Sequence, residues 1–315
     1  MHFSSLICQP QAVELLTQAV AKNRIAPAYL FAGTDGVGRA LAARCFARLI
    51  FEVKATKPQK HRDLQNHPDF LWVEPTYMHQ GQRLTAAEAE ETGLKRKAPP
   101  QIRLEQVREI TRFLSSPPLE ASQAVVVIEQ AETMAESPAN ALLKTLEEPG
   151  RATIILIAPS VESLLPTLVS RCQRIPFYRL NHEAMIQILE KEGKGEVANE
   201  PEVMAMAQGS PGRAIASWEQ LQEIPEDLLR AIAQKPSSIR EALELAKQIN
   251  KTLDLPAQLW LIDYLQQLYW QQHHHDFLRD TFPIQKLETA RSYLLSYAQP
   301  RLVWEVTLMD ICTGV

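Results

Sequence analysis

A chain of 315 residues with 45% apolar and 22% charged side chains has the composition of a soluble globular protein of two or three domains. Its formal net charge of −4 excludes a general basic field for nucleic acid, so any contact with DNA must come from a local patch. No apolar run approaches the roughly 20 residues of a membrane span, and Met1-His2-Phe3-Ser4-Ser5 lacks the regions of a signal peptide, so a cytoplasmic protein with no membrane partner is expected.

Ala12, Leu15, Leu16, Ala19 and Val20 recur at helical spacing. The apolar run Ala28-Tyr29-Leu30-Phe31-Ala32 predicts a buried parallel strand, ending on the glycine-rich turn Gly33-Thr34-Asp35-Gly36-Val37-Gly38. Leu41, Cys45, Phe46, Leu49 and Ile50 then line one side of a second helix. Between residues 52 and 101 the composition turns polar and the periodicity weakens. Residues 93–100 read as an exposed loop, with Lys95-Arg96-Lys97 solvated. Helical spacing resumes from Ile102 to Leu114, before the strand Ala124-Val125-Val126-Val127-Ile128. Ser137 is expected to cap a helix with Pro138 in its first turn. In that helix Leu142, Leu143 and Leu146 face inward, and Pro149-Gly150 ends it. Thr153-Ile154-Ile155-Leu156-Ile157 is a further buried strand. Strands separated by helices predict an α/β domain, a parallel sheet with helices on both faces.

Beyond Phe177 no strand is expected. Short helical patterns occupy 181–216, with Gly209-Ser210-Pro211-Gly212 between two of them, and from Trp218 onward the chain reads as helices only. These include Ile239 to Leu253, Leu255 to Tyr269 and Leu287 to Tyr297. His273-His274-His275 lies in a polar stretch; adjacent side chains on a helix diverge, so no metal shell is expected there. Cys8, Cys45, Cys172 and Cys312 are widely separated, with no Cys-x-x-Cys pair for zinc, and are expected to be small buried apolar residues.

The strand, glycine turn and helix at 28–50 have the layout of a phosphate-binding loop. In a working loop, Gly-x-x-x-x-Gly-Lys-[Ser/Thr], backbone N–H groups surround the phosphates, lysine reaches the terminal ones, and the hydroxyl holds magnesium. Gly33, Gly36 and Gly38 keep the glycines, but Arg39 stands for lysine and Ala40 for the hydroxyl residue. Arginine keeps a charge that can touch phosphate weakly; alanine offers magnesium nothing. A hydrolytic ATPase of this kind also ends its central strand in Asp-Glu, one carboxylate for metal and one for the attacking water. This chain reads Glu129-Gln130. Loss of lysine, hydroxyl and the usual carboxylate pair argues against turnover in this chain's own site.

The segments Asn23-Arg24-Ile25-Ala26-Pro27, Asn140-Ala141-Leu142-Leu143-Lys144-Thr145-Leu146-Glu147-Glu148-Pro149 and Ser170-Arg171-Cys172 resemble the clamp-loader branch of the AAA+ ATPases. Within it the resemblance is to the delta-prime family of bacterial DNA polymerase III, over residues 1 to about 217. It implies an AAA+ P-loop-type core at 1–178, a small helical lid at 179–217 and an all-α oligomerisation collar at 218–315. It further implies that Arg171 acts in trans on ATP bound by a neighbouring subunit, a contact worth about 10³ to 10⁵ in rate in related enzymes. Gly33, Gly36, Gly38 and Arg39 become a vestigial cofactor loop, with no cofactor of its own required. The partners implied are the motor and delta subunits, and, through the assembled complex, a sliding clamp and primed DNA. Three features depart from the family: the zinc cysteines are missing, Pro159 replaces the first polar sensor, and Arg213 lies about one position from the second sensor arginine. Two other readings stay open here: an ATP-hydrolysing motor subunit, and a stand-alone nucleic-acid-binding protein on a relic ATPase fold.

Overall fold

The computed structural model describes residues 3, 6–53, 64–92, 99–272, 282–296 and 298–314. The runs Lys95-Arg96-Lys97 and His273-His274-His275 therefore lie outside the described residues. The chain divides into two compact units, Met1–Leu180 and Asn181–Val315.

In the first unit the elements follow in the order α1 (Pro10–Ala21), β1 (Ala28–Ala32), α2 (Arg39–Val53), β2 (Phe70–Val73), β3 (Tyr77–His79), β4 (Gln82–Leu84), α3 (Ala86–Glu91), α4 (Leu104–Leu114), β5 (Ala124–Ile128), α5 (Glu136–Glu147), β6 (Ala152–Ala158), α6 (Pro166–Val169) and β7 (Gln173–Pro176). Five strands form one parallel sheet in the order β2-β5-β6-β1-β7. This is the expected α/β class. The side-chain period of two splits each central strand between two apolar layers. Tyr29 and Phe31 join Phe46 and Ile50 on one face, while Ala28 and Leu30 join Ile110, Leu142 and Leu146 on the other. Both faces being covered, β5 and β6 are buried along their whole length, which explains their unbroken apolar runs. Each large aliphatic side chain so buried contributes roughly 1.5–3 kcal/mol.

Several expectations need correction. Two sheet strands went unread: β2 lies in the stretch that reads as polar and weakly periodic, and β7 follows Cys172. The same polar stretch folds into the β3–β4 hairpin, turned at Gln80 and Gly81 with φ of 48° and 81°, and into α3. Ser137 does not cap α5; the N-cap is Ala135, and Ser137 sits inside the first turn. Leu41 is 37% exposed, because α2 turns Ala42, Ala43, Phe46 and Ala47 to the core instead. Of the four cysteines only Cys45 is buried; Cys8 is exposed, and Cys172 and Cys312 are intermediate.

Asp69, just before β2, is 2% exposed. Its carboxylate accepts the backbone N–H groups of Leu119 at 2.6 Å, Glu120 at 2.8 Å and Ala121 at 2.6 Å. A buried charge is tolerated because three donors replace its water, and the loop leading into β5 is pinned as a result.

The second unit is helical: α7 (His182–Lys191), α8 (Pro201–Ala207), α9 (Pro211–Glu223), α10 (Glu226–Ile232), α11 (Ile239–Thr252), α12 (Leu255–Gln272), α13 (Phe282–Leu295) and α14 (Pro300–Thr313). Helix α9 runs across residue 217. Ser210 caps it, its hydroxyl accepting the N–H of Arg213 at 3.2 Å. Fully buried Trp304 of α14 donates to Gln258 of α12 at 2.9 Å, and Gln258 donates to the Leu253 carbonyl at 2.8 Å. Trp304 and Gln258 are thus partnered, as burial favours, whereas the buried Trp260 indole nitrogen on the same core has no hydrogen-bond partner. No helix among the described residues is long and apolar enough to cross a membrane.

Candidate functional site

The glycine turn joins the carboxyl end of β1 to α2. Gly36 and Gly38 have φ of 77° and 100°, the left-handed region that glycine enters without strain. Gly33 is required for a different reason. A Cβ there would lie 2.4 Å from the Phe177 carbonyl oxygen and 2.7 Å from the Phe177 Cβ, so this glycine lets the end of β7 approach. The turn is also laced to its surroundings. Gln9, 3% exposed, donates to the Tyr178 carbonyl at 2.7 Å and accepts the Tyr178 N–H at 3.1 Å, with a longer contact to the Val37 carbonyl at 3.4 Å. Leu6 Cδ1 stands 2.8 Å from where a Gly38 Cβ would project.

Arg39 opens α2 with only 7% of its surface exposed. One terminal nitrogen, Nη2, pairs with the Asp35 carboxylate, and the buried Nη1 has no hydrogen-bond partner. Glu132 lies within electrostatic range of both. Burial pushes its carboxyl up, its own backbone N–H pulls it down, the Asp35 charge raises it and the Arg39 charge lowers it. The Arg39 guanidinium thus faces two acids and its charge is already answered within the chain, while the exposed Arg179 donates to the Thr34 hydroxyl of the turn at 3.4 Å. Ala40 carries no hydroxyl. At the end of β5, Glu129 Oε2 accepts the Trp72 indole N–H at 2.9 Å, and the Arg44 guanidinium stacks 4.0 Å over the Trp72 ring. Gln130 adopts the left-handed region with φ of 48°, and Pro159 follows β6. These residues do not fit a magnesium nucleotide. Among the described residues, no three His, Cys, Asp or Glu side chains gather to hold a metal ion.

Arg171 belongs to a separate place. It follows α6 and precedes β7, and Tyr29, near the start of β1, pairs with Gln173. The loop instead follows Ala32, which pairs with Pro176. Arg171 and the loop therefore flank opposite ends of the same strand pair, with roughly 10 Å of strand between them. The guanidinium rests on the last residue of α5: Nε donates to Glu147 Oε1 at 2.9 Å, Nη2 pairs with the same oxygen, and Nη1 donates to the Thr167 carbonyl at 2.9 Å. The two side chains are 34% and 50% exposed, so the cation stays reachable from outside. Cys172 packs against the α4–α5 layer, and burial pushes its thiol up to about 12. That leaves it protonated and unreactive at neutral pH. Arg213 is exposed at the start of α9 in the other unit.

The structure thus assembles Gly33, Gly36, Gly38 and Arg39 into one turn and holds Arg171 apart from them. Asp35 and Glu132 beside Arg39, Trp72 beside Glu129, and Glu147, which holds Arg171, carry no mark of these roles in the sequence. Asp35 lies only four residues from Arg39, but Trp72 and Glu147 meet partners 57 and 24 residues away along the chain and Glu132 meets the field of Arg39 across a longer stretch still, and no local pattern marks such distant pairs.

Comparison with known proteins adds the following. The profile of a family described as DNA polymerase III, delta subunit, matches residues 8–181, and that of the cyanobacterial DNA polymerase III delta prime C-terminal domain matches 183–311. DNA polymerase III subunit delta' of Bacillus subtilis is 31% identical over 185 residues, covering 56% of this chain and 50% of that protein. The delta' subunit of Pseudomonas aeruginosa is 32% identical over 212 residues, covering 64% and 58%. The chain spans about half the length of these relatives. A solved DNA polymerase III gamma-subunit-related protein from Thermotoga maritima aligns over 96% of this chain and 99% of its own, at 18% identity and a TM-score of 0.49.

Proposed function

This chain belongs to the DNA polymerase III delta-prime family, and we propose that it serves there as a non-hydrolysing subunit of a sliding-clamp loader, lending Arg171 to ATP held by a neighbouring subunit. The observation that carries this reading is the placement of Arg171. Its side chain is about one-third exposed, at the opposite end of the strand pair from the chain's own loop. A cation so placed is available to a phosphate on another chain and poorly placed for one on its own. Paired with a terminal phosphate, it would neutralise charge as that charge develops, by about 10³ to 10⁵ in rate where related enzymes have been measured. The loop itself supports the other half of the reading. Arg39 is matched by Asp35, Ala40 offers no metal ligand, and Glu129 is engaged by Trp72.

In this reading the motor and delta subunits of the loader are the direct partners, and a sliding clamp and primed DNA are met through the assembled complex. Residues 179–217 act as the lid and 218–315 as the collar. The test is reconstitution of the loader with Arg171→Ala. Folding and assembly should persist while DNA-stimulated ATP hydrolysis falls sharply; unchanged hydrolysis refutes the trans role. Hydrolysis by the isolated chain at the rate of a motor subunit would instead favour the motor reading.

A further inference from the structure

We infer that Glu147 is a positioning residue for Arg171, holding the guanidinium so that one N–H on each terminal nitrogen is left for a neighbour's phosphate; the inference rests on the trans role proposed above. A guanidinium has five N–H groups. Three are engaged: Nε–H and one on Nη2 by Glu147 Oε1, and one on Nη1 by the Thr167 carbonyl. One remains on Nη1 and one on Nη2. Two parallel donors from adjacent nitrogens are what bidentate phosphate recognition uses. The partners already in place thus engage the Nε side of the guanidinium and one donor of each terminal nitrogen, leaving the other donor of each.

Stability does not account for a glutamate at this position. Glu147 is the last residue of the 12-residue helix α5, where carboxylate charge opposes the helix dipole. An ion pair 34% and 50% exposed contributes little to folding. Electrostatics alone does not account for it either, since a carboxylate beside the cation weakens its pull on phosphate. What the contact supplies is direction. It draws on two elements: α5 brings the carboxylate, and α6 brings the Thr167 carbonyl, one turn before Arg171 itself. A long, flexible side chain is thereby held in one orientation before a partner arrives, which lowers the ordering needed at the moment of reaction.

The test uses the full chain, reconstituted with the motor and delta subunits, with kcat and KM for ATP measured for Arg171→Ala, Glu147→Ala, Glu147→Gln, Glu147→Lys and the Arg171→Ala/Glu147→Ala pair. Assembly is checked by gel filtration. Glu147→Ala is expected to lower kcat by at least about half, on a logarithmic scale, of the fall caused by Arg171→Ala, with KM changed by less than about threefold. Glu147→Gln keeps an acceptor oxygen without the charge and should recover most of that loss. Glu147→Lys, which repels the guanidinium, should fall at least as far as the alanine variant. The double variant should be no slower than Arg171→Ala alone, because Glu147 acts only through the arginine. A wild-type or raised kcat for Glu147→Ala beside a slow Arg171→Ala overturns the inference and makes the contact a latch or an ornament. Additive losses in the double variant overturn it as well. If Arg171→Ala itself leaves hydrolysis unchanged, the trans role is what fails, and this inference falls with it.

Discussion

Replacing Gly33 with alanine separates a glycine kept for packing from one kept for phosphate. The added Cβ would sit 2.4 Å from the Phe177 carbonyl oxygen and 2.7 Å from the Phe177 Cβ, both far inside contact distance. The end of β7 must therefore retreat by about 1 Å. Phe177 is 4% exposed and packs on Phe31 with ring centroids 5.3 Å apart, so it has little room to move. Overpacking of this kind costs about 1–3 kcal/mol. The Phe177 N–H, which donates to the Ala32 carbonyl at 2.7 Å, would be stretched for about another 1 kcal/mol. A total near 2–4 kcal/mol lowers the melting temperature of a unit of this size by roughly 5–15 °C. Gly81→Ala is the control: its φ is +81° but nothing lies within 4 Å of the new Cβ, so only the backbone penalty of about 1–2 kcal/mol applies, at an exposed hairpin. Thermal unfolding and hydrogen exchange at the Phe177 amide report both effects. If Gly33→Ala melts with the wild type and keeps its Phe177 protection, the packing argument is wrong.

Asp69→Ala should strip three backbone donors of their acceptor and cost about 3–5 kcal/mol, with amide exchange at 119–121 accelerated far more than elsewhere; unaltered exchange at those amides would count against the pinned loop. Iodoacetamide at pH 8 should modify exposed Cys8 well before Cys172, whose thiol burial pushes up to about 12. Mass spectrometry showing equal rates would contradict that burial. Cys172 and Tyr269 are both held protonated by burial, each raised to about 12 from ordinary values of 9.0 and 10.0. The unfolded chain ionises first, so their contribution is complete below pH 9 and is lost as pH climbs from there toward 12. Urea midpoints that stay level between pH 8 and pH 11 would refute it.

The elements legible in the sequence are those whose surroundings are uniform. Strands β1, β5 and β6 are covered on both faces, so their apolar runs announce them. The unread strands lie at the two sides of the sheet, where coverage is partial. In β2, Leu71 and Trp72 are only half-buried; in β7, Gln173 and Arg174 are exposed and Ile175 alone is buried, so neither shows a clean period. Pro176 is tolerated in β7 because an outer strand has a free edge. The cap of α5 was misplaced by two residues because Ser137-Pro138 carries a start signal that the fold places inside the first turn. At the loop, the missing hydroxyl and carboxylates could be read from residue types alone. What stands in their place could not be, since Trp72 meets Glu129 only once the chain has folded; the same holds, at the other end of the strand pair, for Glu147 and Arg171.

The stacking of Arg44 on Trp72 and the hydrogen bond from the Trp72 indole to Glu129 also fix how readily the pocket could be rebuilt. A lysine restored at 39 would still face Asp35 and Glu132, and a hydroxyl restored at 40 would find no metal, because the nearby carboxylate already serves an indole. No single substitution toward a working pocket supplies both a free cation and a metal ligand, and each disturbs a contact that the fold uses.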